Sequence, residues 1–120
     1  MKYFWDSFAL VEITKNNPNY IPYADEITIT SLYNLIELYY SVLKDFDEER
    51  AKTIYYKFKD CVQEVNDETI FEAMKFRKMH TNKKFSYIDC IGYTFALKNN
   101  LNFLTGDKAF EGLENVEFVK

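Results

Sequence analysis

Tyr3-Phe4-Trp5-Asp6-Ser7-Phe8-Ala9-Leu10-Val11 is the stretch on which the fold turns. Three bulky apolar residues in a row read as a buried strand, because a strand covered on both faces runs as an unbroken apolar segment. That strand ends on an acid, Asp6. Ser7 to Thr14 then places Phe8, Leu10, Val11 and Ile13 at the spacing of a short helix. A strand, an acid and a helix in direct succession open a β–α unit, and such units assemble into parallel sheets covered by helices.

Working outward, Asn16 to Pro22 carries both prolines and reads as a loop, and Ile27 to Thr30 alternates as a half-buried strand does. Thr30 or Ser31 caps a helix with apolar positions Leu32, Leu35, Ile36, Tyr39 and Leu43. Asp45 to Arg50 is a charged break, and Asp47, Glu48 and Glu49 suit the start of another helix reaching about Asp60. Cys61 to Val65 is expected to form a short strand. Asn66 or Asp67 caps a helix through Ile70, Phe71, Met74 and Phe76, which decays into the basic stretch Lys75 to Lys84. Ser86 with Asp89 three residues on resembles a capping box for a helix through Ile88, Ile91, Phe95 and Leu97, ending at Asn99 and Asn100. Leu101 to Leu104 is a strand, Thr105-Gly106-Asp107 a turn and Val116 to Val119 a last strand. The expectation is one α/β domain over residues 1–120, with a central, mostly parallel sheet of about four or five strands and helices on both faces.

Composition agrees with a packed domain: 120 residues, 48% hydrophobic and 18% aromatic, can bury roughly two-thirds of the unfolded surface. A net charge of −4 argues against coating nucleic acid through positive charge alone. An RNA-binding chain of this charge needs another device, and bound divalent cations are one, because they invert the charge that a phosphate meets. Cys61 and Cys90 have neither metal-ligand nor redox spacing and are expected as two buried reduced thiols. Lys2 and Asp6 bracket only three apolar residues, too few for a secretory leader, and no apolar run approaches the roughly 20 residues of a membrane span. A soluble, cytoplasmic protein with no membrane partner is expected.

Four of the 19 acidic residues are hard to assign to a solvated face, as Glu12, Asp25 and Glu64 can be. Asp6 follows a strand, at the carboxyl edge where open α/β sheets place ligands; its other reading is an N-cap. Glu37 stands among Leu35, Ile36, Leu38 and Tyr39, costly for a carboxylate without cation or donors; its other reading is an exposed residue on a thin polar face with Asn34 and Ser41. Asp89 has capping duty for Ser86 as its alternative, and Asp107 a cap for the segment Lys108 to Glu111. A parallel sheet would converge all four at one edge. Carboxylates so gathered repel one another unless a cation sits among them, and oxygen-only ligation selects Mg²⁺ or Mn²⁺ over zinc.

In order and spacing these residues resemble the PIN-domain family, above all its small VapC-type toxins, along essentially the whole chain. Asp6-Ser7 is similar to the family's Asp-Thr/Ser after the first strand, and Thr30 to Glu37 to its helix bearing a single essential Glu. Ile88-Asp89 to Leu97 resembles the Asp-led helix, and Leu104-Thr105-Gly106-Asp107-Lys108-Ala109-Phe110 the family's Leu-Thr-x-Asp with a following Phe. Phe8 departs from the small polar residue common after Asp-Thr/Ser.

The resemblance implies a metal-dependent ribonuclease giving 5′-phosphate and 3′-hydroxyl ends, with Asp6, Glu37 and Asp89 as principal Mg²⁺ or Mn²⁺ ligands. Asp107 and the hydroxyls of Ser7 and Thr105 would support them. It also implies an RNA substrate, an antitoxin protein partner and a homodimer. The basic stretch, Lys83 and Lys84 in particular, would hold the RNA backbone, its other reading being a solvated helix end. His80 is expected at the surface beside Lys78, with no catalytic duty. Tyr33, Tyr39, Tyr40, Tyr55 and Tyr56 would suit a partner surface, although helical spacing puts Tyr39 and Tyr40 in the core. A phosphate-accepting receiver domain is set aside, because it needs adjacent acids after the first strand and Asp6 stands alone. The rival reading is a non-catalytic PIN-like module that binds protein or RNA.

Overall fold

A computed structural model describes residues 2–120. Strand β1 (Lys2–Trp5) leads into helix α1 (Ser7–Thr14), a 3₁₀ turn (Ile21–Asp25) and β2 (Ile27–Ile29). Four helices follow, α2 (Leu32–Asp45), α3 (Glu48–Lys59), α4 (Asp67–Met79) and α5 (Tyr87–Lys98). The chain closes with β3 (Asn102–Thr105), a 3₁₀ turn (Lys108–Phe110) and β4 (Val116–Phe118). The strands form one parallel sheet in the order β2-β1-β3-β4. The chain leaves β1 toward β2 on one side and reaches β3 on the other, so β1 and β3 flank the point where winding reverses. Ligands of open α/β sheets bind outside the carboxyl ends of strands at such a point.

The side-chain alternation of β1 divides the core between two layers. Tyr3 and Trp5 point into a cluster with Ala9 and Leu10 of α1, Leu35, Leu38 and Val42 of α2 and Ala51 of α3. Phe4 points the other way, with Phe103, into the helices α4 and α5, among Ala73, Cys90, Tyr93, Phe95 and Ala96. Gly92 belongs to that close packing, since a Cβ there would meet the Phe4 ring at 2.8 Å and the Phe103 ring at 3.3 Å. The long apolar run of α5 is thereby explained: its middle, Cys90 through Ala96, is buried without a break.

Several expectations change. Cys61 to Val65 is not a strand: Val62 makes a single bridge to Thr30, and the flanking Gln63 and Glu64 are exposed. The chain there turns straight into the Asn66 cap of α4, leaving no room for a ladder. Tyr20, inside the expected loop, is fully buried, and its hydroxyl donates to the Val119 carbonyl at 2.5 Å. Tyr40 and Ile36 are not core residues, at 64% and 52% exposed, because α2 turns its Leu35-Leu38-Val42 stripe inward instead. Cys61 is half-buried and Cys90 buried, both as free thiols. His80 is half-buried, its ring stacked 4.2 Å from that of Phe76. No described helix is long and apolar enough to cross a membrane.

Candidate functional site

Register builds the first half of the site. Trp5 pairs with Leu104, so the residues one step further on, Asp6 and Thr105, stand side by side at the carboxyl edge. The Asp6 amide donates to the Leu104 carbonyl at 3.1 Å, and the Thr105 hydroxyl donates to Asp6 Oδ2 at 2.7 Å. Thr105 Oγ1 in turn accepts from the Asp107 amide at 3.1 Å. A backbone N–H can only donate, so it leaves the single hydroxyl proton of Thr105 to Asp6. Asp6 is 2% exposed and stands at the N-cap position of α1, yet its side chain makes no capping bond. Its Oδ1 is buried without a partner, a condition shared among the described residues only by Trp5 Nε1. A buried carboxylate oxygen left bare is costly unless a ligand completes it.

The second half comes from α2, which starts beside the end of β2 on the Ser31 N-cap. Glu37 is half-buried, and its Oε1 accepts from the Ser7 hydroxyl at 2.5 Å. Ser7 Oγ accepts from the Asn34 amide at 2.9 Å. The thin polar face expected for Asn34 and Glu37 is therefore an inward one: Asn34 is fully buried. Asn34 was legible only as a polar residue one turn before Glu37.

Asp89 and Asp107 realise their structural alternatives while facing the same cleft. Asp89 Oδ2 accepts from the Ser86 amide at 2.9 Å as the Ser86 hydroxyl accepts from the Asp89 amide at 3.0 Å, a complete capping box. Asp107 Oδ1 accepts from the Ala109 amide at 3.0 Å. Both line a cleft of about 410 Å³ together with Asp6, Ser7, Phe8 and Glu37. Glu12, assigned above to a solvated face, also lines it, held by the Asn17 amide at 2.9 Å. Phe8 closes one side over Gly106, where a Cβ would overlap both the Phe8 ring and the Val119 carbonyl. Lys83 and Lys84 lie in the loop between α4 and α5, ahead of Asp89 and outside the lining of the cleft.

The carboxylates feel one another. Burial first, and next the charge of Asp89, pushes the Asp6 carboxyl up to about 7, against lowering by the Thr105 hydroxyl and the Ser7 backbone. Burial raises Glu37, with Asp89 adding to it and the Ser7 hydroxyl opposing. Asp89 is raised by burial and by Asp107, against its bonds to Ser86. Among the described residues no three His, Cys, Asp or Glu groups crowd closely enough to grip one ion by themselves. The bare Asp6 oxygen and an all-carboxylate donor set nevertheless fit a hard divalent cation, since Mg²⁺ commonly takes one or two carboxylates and fills its shell with water.

A family model described as PIN domain matches residues 3–116. No curated protein matches in sequence. Among solved structures, the Mycobacterium tuberculosis toxin VapC20, described as cleaving the sarcin-ricin loop, superposes with a TM-score of 0.77 at 13% identity, over 95% of this chain and 98% of that one. A chain of VapBC2 from Rickettsia felis, solved with a promoter DNA fragment, gives 0.75 at 18% identity, over 100% of both chains. A toxin-antitoxin complex from Klebsiella pneumoniae gives 0.73 at 18% identity, over 96% of this chain and 95% of that one.

Proposed function

The chain belongs to the PIN-domain family, and from that premise we propose that it is a divalent-metal-dependent endoribonuclease, the toxin of a toxin-antitoxin pair. One observation carries the reading: a buried Asp6 at the sheet's carboxyl edge, one oxygen bare, in a cleft shared with Glu37, Asp89 and Asp107. Asp6, Glu37 and Asp89 are the residues that would hold Mg²⁺ or Mn²⁺, directly or through water, with Asp107 beside them. A cation so held supplies positive charge against the scissile phosphate and acidifies water. Thr105 fixes the rotation of Asp6, and Ser7 that of Glu37, each leaving one carboxylate oxygen for a ligand. His80 is outside the lining of the cleft, packed on Phe76 with its Nδ1 2.8 Å from the Phe76 carbonyl, so the chemistry rests on the carboxylates.

Lys83 and Lys84 would meet the RNA backbone next to the cleft. The outer face of α2 and α3, where Ile36, Tyr40 and Tyr56 are exposed beside Tyr39, Tyr55 and Lys52, suits an antitoxin peptide, with a second copy of the chain as the other occupant. Both fit the names of the proteins that this fold resembles, and a cytoplasmic location follows from the same reading.

Incubation with a panel of RNAs in Mg²⁺, Mn²⁺ or EDTA tests it. Metal-dependent cleavage that is lost in Asp89→Asn is the expected result; cleavage indifferent to chelator would refute it. Tight Mn²⁺ binding without cleavage of any RNA would instead assign the chain to the non-catalytic module.

A further inference from the structure

We propose that Asn34 is a positioning residue: it fixes the direction in which protons are donated along the chain Ser31–Asn34–Ser7–Glu37, and so holds Glu37 as an acceptor with its second oxygen free for a ligand. The sense is set at the start of α2. The Asn34 backbone amide donates to Ser31 Oγ at 3.2 Å, and this group cannot accept. Ser31 must therefore direct its one proton elsewhere, and it donates to Asn34 Oδ1 at 2.6 Å. With its carbonyl so engaged, the Asn34 side chain can present only its NH₂ to Ser7, at 2.9 Å. Ser7 receives that bond and passes its own proton to Glu37 Oε1. Each link forces the next.

Burial makes the chain consequential. Asn34 is 0% and Ser31 1% exposed, so at these two positions water does not substitute for a missing partner, and a reversed link leaves two like groups facing each other. An apolar residue or a carboxylate at position 34 breaks the sequence of donors in different ways. Asn34→Asp offers only acceptors: Ser7 turns its proton to the new carboxylate, and Glu37 faces a hydroxyl oxygen with no proton. Glu37→Gln can present either its carbonyl or its NH₂ to Ser7. In the double variant Asn34→Asp/Glu37→Gln the chain is again complete, running backwards from the NH₂ introduced at position 37 through Ser7 to the carboxylate introduced at position 34.

Thermal unfolding of the four proteins in EDTA closes the cycle without any use of nuclease activity. The expected result is strong coupling: Glu37→Gln alone shifts the melting temperature little, Asn34→Asp lowers it, and the double variant recovers about 4–8 °C of that loss. Additive shifts would overturn the assignment. The second measurement is Mn²⁺ titration of folded Asn34→Leu, which keeps the branching at Cγ but donates nothing to Ser7. Because this part rests on the metal-site reading, an unaltered parent affinity in Asn34→Leu overturns the positioning role, whereas about a tenfold loss supports it. A parent that binds no Mn²⁺, with the thermal coupling intact, would defeat the proposed function while leaving the link between Asn34 and Glu37 standing.

Discussion

The two sides of the acidic cleft are built on different terms. Asp89 and Asp107 are each a helix or turn cap whose oxygen already accepts a backbone N–H, so each contributes to the fold whether or not a ligand arrives. Asp6 and Glu37 cap nothing; they are held by the side-chain hydroxyls of Thr105 and Ser7, and Asp6 keeps one oxygen bare. The capping bonds of Asp89 and Asp107 offset part of the cost of gathering carboxylates, whereas the bare, buried oxygen of Asp6 has no such return within the chain.

The sharpest way to break this contrast is Asp6→Asn, which is expected to reduce RNA cleavage by about a hundredfold or more while stabilising the metal-free protein. Asparagine keeps an oxygen for Thr105 and abolishes the buried charge. With the Asp6 carboxyl raised from 3.8 to about 7, the gain at pH values above that range is about 2–4 kcal/mol, read by denaturant unfolding. A loss of stability would erase the distinction.

The pH dependence follows from the same shift. Between 3.8 and about 7 folded Asp6 holds a proton that the unfolded chain has released, so folding is favoured at low pH and loses that advantage as pH rises through about 7. The melting temperature of the metal-free protein should fall across this window. Saturating Mg²⁺ should raise it most at the alkaline end, and Asp6→Asn should flatten the profile. Calorimetry across the range checks all three.

Asp89→Ala should move stability the opposite way to Asp6→Asn, costing about 1 kcal/mol through loss of the capping box, while Asp89→Asn retains an acceptor for the Ser86 amide and costs less. Both should lose cleavage. The smallest effect is expected from neutralising Lys83 and Lys84: RNA affinity falls severalfold, and its dependence on salt flattens by roughly one counterion per lysine that touches phosphate.

The acids were legible because each had a sequence neighbour that made it conspicuous: Asp6 after Tyr3-Phe4-Trp5, Glu37 amid Leu35, Ile36 and Leu38, Asp107 after Leu104-Thr105-Gly106. The parallel sheet was legible for the same reason, since an unbroken apolar strand has only one kind of home. Asn34 was not, because helical spacing alone does not say which flank of α2 turns inward, and a polar residue is assigned outward by default. The inward flank is chosen by tertiary packing, with Leu35, Leu38 and Val42 seated against Trp5 and Leu104. The strand expected at Cys61 to Val65 failed on the same ground: β-branched residues suited it, but sheet positions beside β2 extended only to a Thr30–Val62 bridge. Glu12 lay beyond reach because its role depends on the turn after α1, where Asn17 folds back onto it.

Crystallography of the protein soaked in Mn²⁺, read by anomalous scattering, would decide whether the cleft holds a cation. A peak is expected within ligation distance of Asp6 Oδ1 and near Glu37 and Asp89, lost in Asp6→Asn. A fully bare cleft at saturating Mn²⁺, or an ion bound only elsewhere, would contradict it.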